Sequence, residues 1–336
     1  MLSLPPALFL VLLELTVGSF ASLYLLDVRG DTSRGFVLFQ GGLYLVFALL
    51  TLLAMNAFAS PTVVHGRGLD ESWLGAQGPL VLVFLLLMIP WNILLWLDRQ
   101  PRPAHGKAGK VAGKAAREAT KRLTGLRLAR FVTGTVTTLT GVGALFVVGM
   151  AYRALADSRL DGAFVVAVFL LGGIALGGVM TAMLLGHWYL NTPTASGKPL
   201  EFACAIMLAA LALELIFSLA IGPSTARPTL KTVNVSPGTS ITTGDSGVVI
   251  STPTLAPGQT TQPTISQVRQ EPLSTGAMLG LQIILGLLAP LALGAVAYWL
   301  TRGRSFQSAT GMLYLCVSFI FIGEILGRGL LLLPVF

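Results

Sequence analysis

Long apolar runs recur along this 336-residue chain, separated by short stretches where charge, glycine and proline gather. Eight of them are long enough to cross a bilayer, which takes about 20 apolar residues at 1.5 Å rise each. They cover about 5–26, 36–59, 77–97, 130–151, 162–190, 199–221, 275–300 and 306–333. The fold class this predicts is all-α: one polytopic integral membrane bundle of eight transmembrane helices. The first run has no basic leader, holds Glu14 mid-run and ends in SLYLLD, so it reads as a retained helix, not a signal peptide. Asp161 is placed to cap the fifth helix and Ser274 the seventh, while Pro199 suits the first turn of the sixth.

Composition agrees with that pattern. Hydrophobic residues make up 54% and charged residues 11%, where a soluble domain carries roughly 25% charged. The net charge of +8 would suggest nucleic acid until it is localised. Residues 98–130 hold ten Lys/Arg against two acids, Asp98 and Glu118, and the remainder balances at twelve of each sign. One basic loop on a membrane chain is a topology signal, and no nucleic acid is expected. With the N-terminus outside, the inner loops are 27–35, 98–129, 191–198 and 301–305, and eight spans return the C-terminus to the outside. The expected setting is a bacterial plasma (inner) membrane, with the lipid bilayer as first partner. Lys107, Lys110, Lys114, Arg117 and Lys121 follow at spacings of 3, 4, 3 and 4, one basic stripe on a helix. Such a stripe suits docking to anionic lipid or an acidic partner, and it suits plain positive-inside retention as well.

Residues 224–274 are opposite in kind: rich in Ser, Thr, Pro and Gly, nearly uncharged, and read as a flexible extracytoplasmic loop with room for a hairpin. Within it Gly244-Asp245-Ser246-Gly247 matches the serine-protease nucleophile tetrapeptide. That chemistry needs a histidine base and an orienting acid on a rigid scaffold, and the other outer histidine is His65 in a short glycine-rich loop. The tetrapeptide reads as a turn, and no catalytic residue is assigned. Cys204 and Cys316 lie inside apolar runs, so neither a disulfide framework nor a metal site is implied. His187 is the only histidine in a span, which leaves a b-type haem without its second axial ligand. No haem and no covalently bound cofactor are expected.

Small residues mark where helices should meet. Gly173-x3-Gly177-x3-Thr181, Gly276-x3-Gly280, Gly323-x3-Gly327 and the Gly134, Thr138, Gly141 face all permit close approach. Pro90 and Pro290 should kink their helices and release carbonyls.

Polar residues inside the spans carry what chemistry there is. At 1.5 Å per residue, Glu14 lies ~14 Å from the outer end of its helix, Glu214 ~12 Å, Glu324 ~15 Å and Arg328 ~9 Å. Gln282 is at a similar depth. Three carboxylates and an arginine facing lipid alone would cost roughly 10 kcal/mol on insertion scales. They must face inward and share protons or partners. Glu324 and Arg328 are four apart and so project from one helical face. Glu14, Glu214, Gln282, Glu324 and Arg328 are therefore the candidates for a proton-handling or quinone-facing site, set against a polar layer that only joins helices. On the inner side, His187 ends the fifth helix and Glu201 opens the sixth, a second candidate pair for a proton or a quinol headgroup.

Eight spans, LELTVGSF on the first and Gly323-Glu324-x2-Gly327-Arg328 on the last resemble the membrane-anchor subunits of bacterial dimethyl sulfoxide and polysulfide reductases. The likeness covers the two ends of the chain, about forty residues in all; the middle carries no matching motif, and the long outer insertion departs from the pattern. It implies a haem-free anchor that exchanges electrons between quinol and an iron–sulfur partner subunit. A proton-coupled small-solute transporter and a membrane scaffold or assembly protein are the alternatives from the residues themselves. The chain shows no inverted repeat of the kind many transporters carry.

Overall fold

The structure, a computed structural model, describes residues 4–58, 62–64, 67–98, 113–156, 159–192, 196–221, 240–244, 247–251 and 275–332. Helices α1 (Leu4–Arg29), α2 (Arg34–Ala57), α3 (Glu71–Leu97), α4 (Gly113–Tyr152), α5 (Arg159–Asn191) and α6 (Lys198–Ile221) follow one another. The seventh span is composite: α7 (Thr275–Leu281), a π-helical segment (Gln282–Leu288) and α8 (Ala289–Arg302). The last is α9 (Phe306–Leu332). Among the described residues eight helical stretches are long and apolar enough to cross a membrane, and the protein is a multi-pass membrane protein of all-α class.

The chain divides into two compact units, Met1–Ala226 with Thr275–Phe336, and Arg227–Ser274. In the second, strands Ser240–Gly244 and Gly247–Ser251 form an antiparallel hairpin with Gly244 opposite Gly247. The protease-like tetrapeptide thus brackets the hairpin connection. The rest of the loop expected at 224–274 lies outside the described residues.

Within the first unit α1 is the axis. Its membrane window is 78% buried, against 22% for the seventh span, and it packs on α2, α4, α5 and α9. Glycine makes its crossing with α5 possible. A Cβ on Gly18 would land on the Gly173 carbonyl, and one on Gly177 would land on the Gly18 backbone. Thr181, next along that face, bonds the Tyr44 hydroxyl of α2 at 2.9 Å. Gly323 of α9 meets the π segment the same way: a Cβ on Gly286 would sit 2.6 Å from the Gly323 Cα. Gly280 does not behave as expected, since a Cβ there would meet nothing within 4 Å. Phe20 of α1 fills the space towards α3, edge-on to Phe84 and Trp91 at 5.9 and 5.0 Å between ring centres.

Several boundaries differ from expectation for local reasons. Helix α3 begins at Glu71, six residues before the expected 77, because Asp70 caps it, its carboxylate accepting from the Ser72 amide at 3.1 Å. Helix α4 reaches back to Gly113 through a stretch of Ala, Lys and Arg, all strong helix formers. Helix α5 starts at Arg159, so Asp161 lies inside the first turn instead of capping it, where a carboxylate is still favoured. Ser274 falls outside the described residues. Pro199 does occupy the first turn of α6. Helix α3 runs through Pro90 to Leu97. Pro290 cannot donate to the turn before it, and that stretch winds as the π-helical segment. The Pro290 carbonyl accepts from the Cys316 thiol at 3.6 Å.

Candidate functional site

The deepest cluster of charge in the spans joins three helices. Glu14 comes from mid-α1, Glu214 from α6, and Glu324 and Arg328 from one face of α9. All four are between 0 and 4% exposed. Arg328 donates through Nε to Glu14 Oε1 at 2.8 Å, and its Nη2 lies 2.6 Å from the same oxygen. Nη2 is also 2.9 Å from Glu324 Oε2, the (i, i+4) pair anticipated from spacing. The guanidinium further donates to the Val168 carbonyl of α5 at 3.3 Å and lies over the Phe169 ring, 4.4 Å from its centre. Glu214 has Glu324, Arg328 and Glu14 as its charged neighbours.

Two features of α5 make room for this cluster. Gly172 carries no side chain where a Cβ would meet Arg328 Nη2 at 2.7 Å and Glu324 Oε1 at 2.9 Å. Phe169, one turn earlier, presents its π face to the cation, a contact worth ~2 kcal/mol or more when desolvated. Neither residue stood out in the sequence.

The cluster is unbalanced. Three carboxyl groups face one guanidinium, and Glu14 Oε2 and Glu214 Oε2 are buried without a hydrogen-bond partner. Beside it lies a cleft of about 100 Å³ lined by Arg328, Gln282, Ser218 and Gly327 among apolar walls that include Phe169 and Leu331. Gln282 packs against Gly327 of α9. The structure therefore brings all five membrane candidates into one neighbourhood.

The other candidates fare differently. His187 Nδ1 pairs with the Tyr314 hydroxyl of α9 at 3.3 Å, not with Glu201. The Glu201 amide donates to the Gly197 carbonyl at 3.0 Å, opening α6. Lys107 and Lys110 lie outside the described residues. Lys114, Arg117 and Lys121 lie on the first turns of α4, where the described structure is the helical backbone.

A second ionic cluster was not anticipated. Where α1 gives way to α2, Arg130 of α4 bridges Asp98 at 2.9 Å and Asp27 at 3.3 Å. Arg34 pairs with the same Asp98 carboxylate and donates to its carbonyl at 2.9 Å. The ends of α1, α2 and α3 are thus tied to the middle of α4 by two arginines and two aspartates. Asp98 follows the end of α3, where the helix dipole disfavours a carboxylate, and the two arginines offset that. Pairs separated by 32 and 64 residues have no periodicity to reveal them. The sequence signal available was only that each residue sits at a span's edge.

Among the described residues no group of three or more His, Cys, Asp or Glu is arranged to hold a metal ion. No protein-family model matches the chain, and no curated protein matches it.

Proposed function

We propose that this chain is a non-catalytic membrane subunit of a bacterial respiratory complex, facing quinone through the Glu14, Glu214, Glu324 and Arg328 cluster and anchoring a redox partner subunit. The observation that carries this reading is the imbalance of three buried carboxyls on one guanidinium. A layer serving only to join helices is cheapest with charges matched one to one, since an uncompensated buried charge costs several kcal/mol. Here electroneutrality requires two of the three carboxyls to hold protons. A group that must be protonated to be tolerated is suited to taking up and releasing protons. The adjoining cleft has apolar walls and three polar side chains, Ser218, Gln282 and Arg328, the composition of small-molecule sites. The resemblance of the chain's two ends to reductase anchor subunits supports the same reading. A proton-coupled transporter of small solutes would use the same carboxyls, and it predicts proton uptake driven by solute, not by quinol.

The test is Glu324→Gln, read by melting temperature in detergent beside quinol-dependent electron transfer and proton uptake in membranes. An amide keeps the hydrogen bonds and removes a costly charge, so the fold should hold. Activity should fall by about 10²-fold or more, the contribution typical of a positioned acid–base group. A variant both fully stable and fully active would leave the layer as a structural joint and end this proposal.

The orientation belongs to the same proposal, with both termini outside the inner membrane and the basic 98–130 segment in the cytoplasm. Membrane-impermeant thiol labelling should reach Lys114→Cys only from the cytoplasmic side and Ser251→Cys only from the outer side. Labelling of both from one side would overturn the arrangement.

A further inference from the structure

A groove of about 580 Å³ runs along α2, away from the carboxyl cluster, lined by Arg34, Gly35, Leu38, Phe39, Gly42, Leu43, Val46 and, from α3, Leu95. We propose that it is a binding site for one anionic phospholipid, with an acyl chain in the groove and the phosphate on Arg34. Length is the first argument. Arg34 to Val46 is twelve residues, ~18 Å of helix, against ~15 Å for the hydrocarbon of one leaflet. The groove thus matches one acyl chain entering from the end of the span. Its hollow exists because Gly35 and Gly42 have no side chains; a Cβ on Gly42 would meet nothing within 4 Å. Phe39 and Val46 are 60% and 51% exposed along its walls, so the groove is open on the bundle's outer face.

Charge sets the choice of lipid. Arg34 is the one charged residue among those lining the groove, and it is 41% exposed at the mouth. Its Asp98 partner is only 4% exposed and is held by Arg130 as well, so the mouth presents cation and not carboxylate. Arg34 engages Asp98 through Nη1, and a guanidinium has five N–H donors, so a phosphate can be bonded without breaking that pair. The neighbouring Arg29 and Asp31 pair with each other at 3.6 Å and add no net charge. A zwitterionic headgroup would gain less from this mouth than an anionic one.

The experiment titrates delipidated protein in detergent with phosphatidylglycerol or phosphatidylcholine and counts bound lipid by native mass spectrometry. Phosphatidylglycerol should be favoured about fivefold, the factor one Lys/Arg near an anionic leaflet supplies. Gly42→Leu adds bulk to the groove from a position where a Cβ would meet nothing within 4 Å, so it should keep the melting temperature and lose the tightly bound lipid. Val46→Trp, at the groove's far end, should do the same and serves if Gly42→Leu fails to accumulate. Arg34→Gln should still bind lipid but lose the preference between headgroups. Gly311→Leu on α9, also facing open space, should leave binding unchanged. Equal retention of both lipids by the unaltered protein, or an undiminished phosphatidylglycerol preference in both groove-filling variants, would overturn the site.

Discussion

Gly177→Ala is expected to unseat the bundle, although it adds a single methyl group. The new Cβ would land on the backbone of Gly18 and Ser19 in α1, and backbone cannot turn aside as a side chain can. Overpacking of this kind costs about 1–3 kcal/mol and occasionally more; a clash with the bundle's axial helix belongs at the upper end. α1 carries Glu14 on the same helix, so displacing it would also pull a carboxylate away from Arg328. A lower melting temperature and reduced accumulation of folded protein are the readouts. Gly143→Ala in α4 is the matched control, because its Cβ would meet nothing within 4 Å. That change should be neutral or stabilising, since alanine is favoured over glycine in a helix interior by about 1 kcal/mol. If the two variants melt alike, α1 and α5 do not cross as closely as described.

The eight spans were legible because burial in lipid demands length and apolarity from every one of them. What escaped the sequence was what happens at their edges and in their interiors. The start of α3 at Glu71 lies in ESWLGAQ, too polar to count as membrane span, yet Asp70 and the helix dipole hold it in the same helix. The π-helical segment of the seventh span has no compositional mark beyond the proline that follows it. Of the small-residue faces, Gly173 with Gly177 and Gly323 made close contacts while Gly280 did not. A small-x3-small pattern says that two helices can approach, not that a partner is present.

The carboxyl cluster was legible for a different reason. Charge in a membrane span is costly enough that its depth and helical face predict company, and Glu14, Glu324 and Arg328 do lie within ion-pair distance. Its packing was not legible. Phe169 and Gly172 look like any other residues of an apolar run, and only the fold assigns them to the guanidinium. The Arg34, Asp98, Arg130 and Asp27 cluster is hidden in the sequence because its charges lie where loop charges set orientation. Residues at span ends serve both purposes, and composition cannot separate them.

Arg328→Ala should cost most among changes of charge. The arginine is the cation shared by Glu14 and Glu324 and the nearest one to Glu214. Removing one partner of a buried ion pair costs about 3–5 kcal/mol, because the remaining charge is left in a low dielectric. Arg328→Lys should recover only part of this. A single ammonium cannot reproduce the two nitrogens set on Glu14 Oε1 and the planar contact with Phe169. The informative experiment is the double variant Arg328→Ala with Glu324→Gln. If the two side chains act as a pair, Glu324→Gln on its own costs little, and the double variant is no less stable than Arg328→Ala alone. It should even regain stability, since one of the carboxyl groups left without the guanidinium has gone. Extending the series to Glu14→Gln should recover more, because Glu14 makes the shorter contact with the guanidinium, 2.6 Å against 2.9 Å. Strictly additive losses on melting would mean that Arg328 is held by α5, through Val168 and Phe169, and not by the carboxylates it faces.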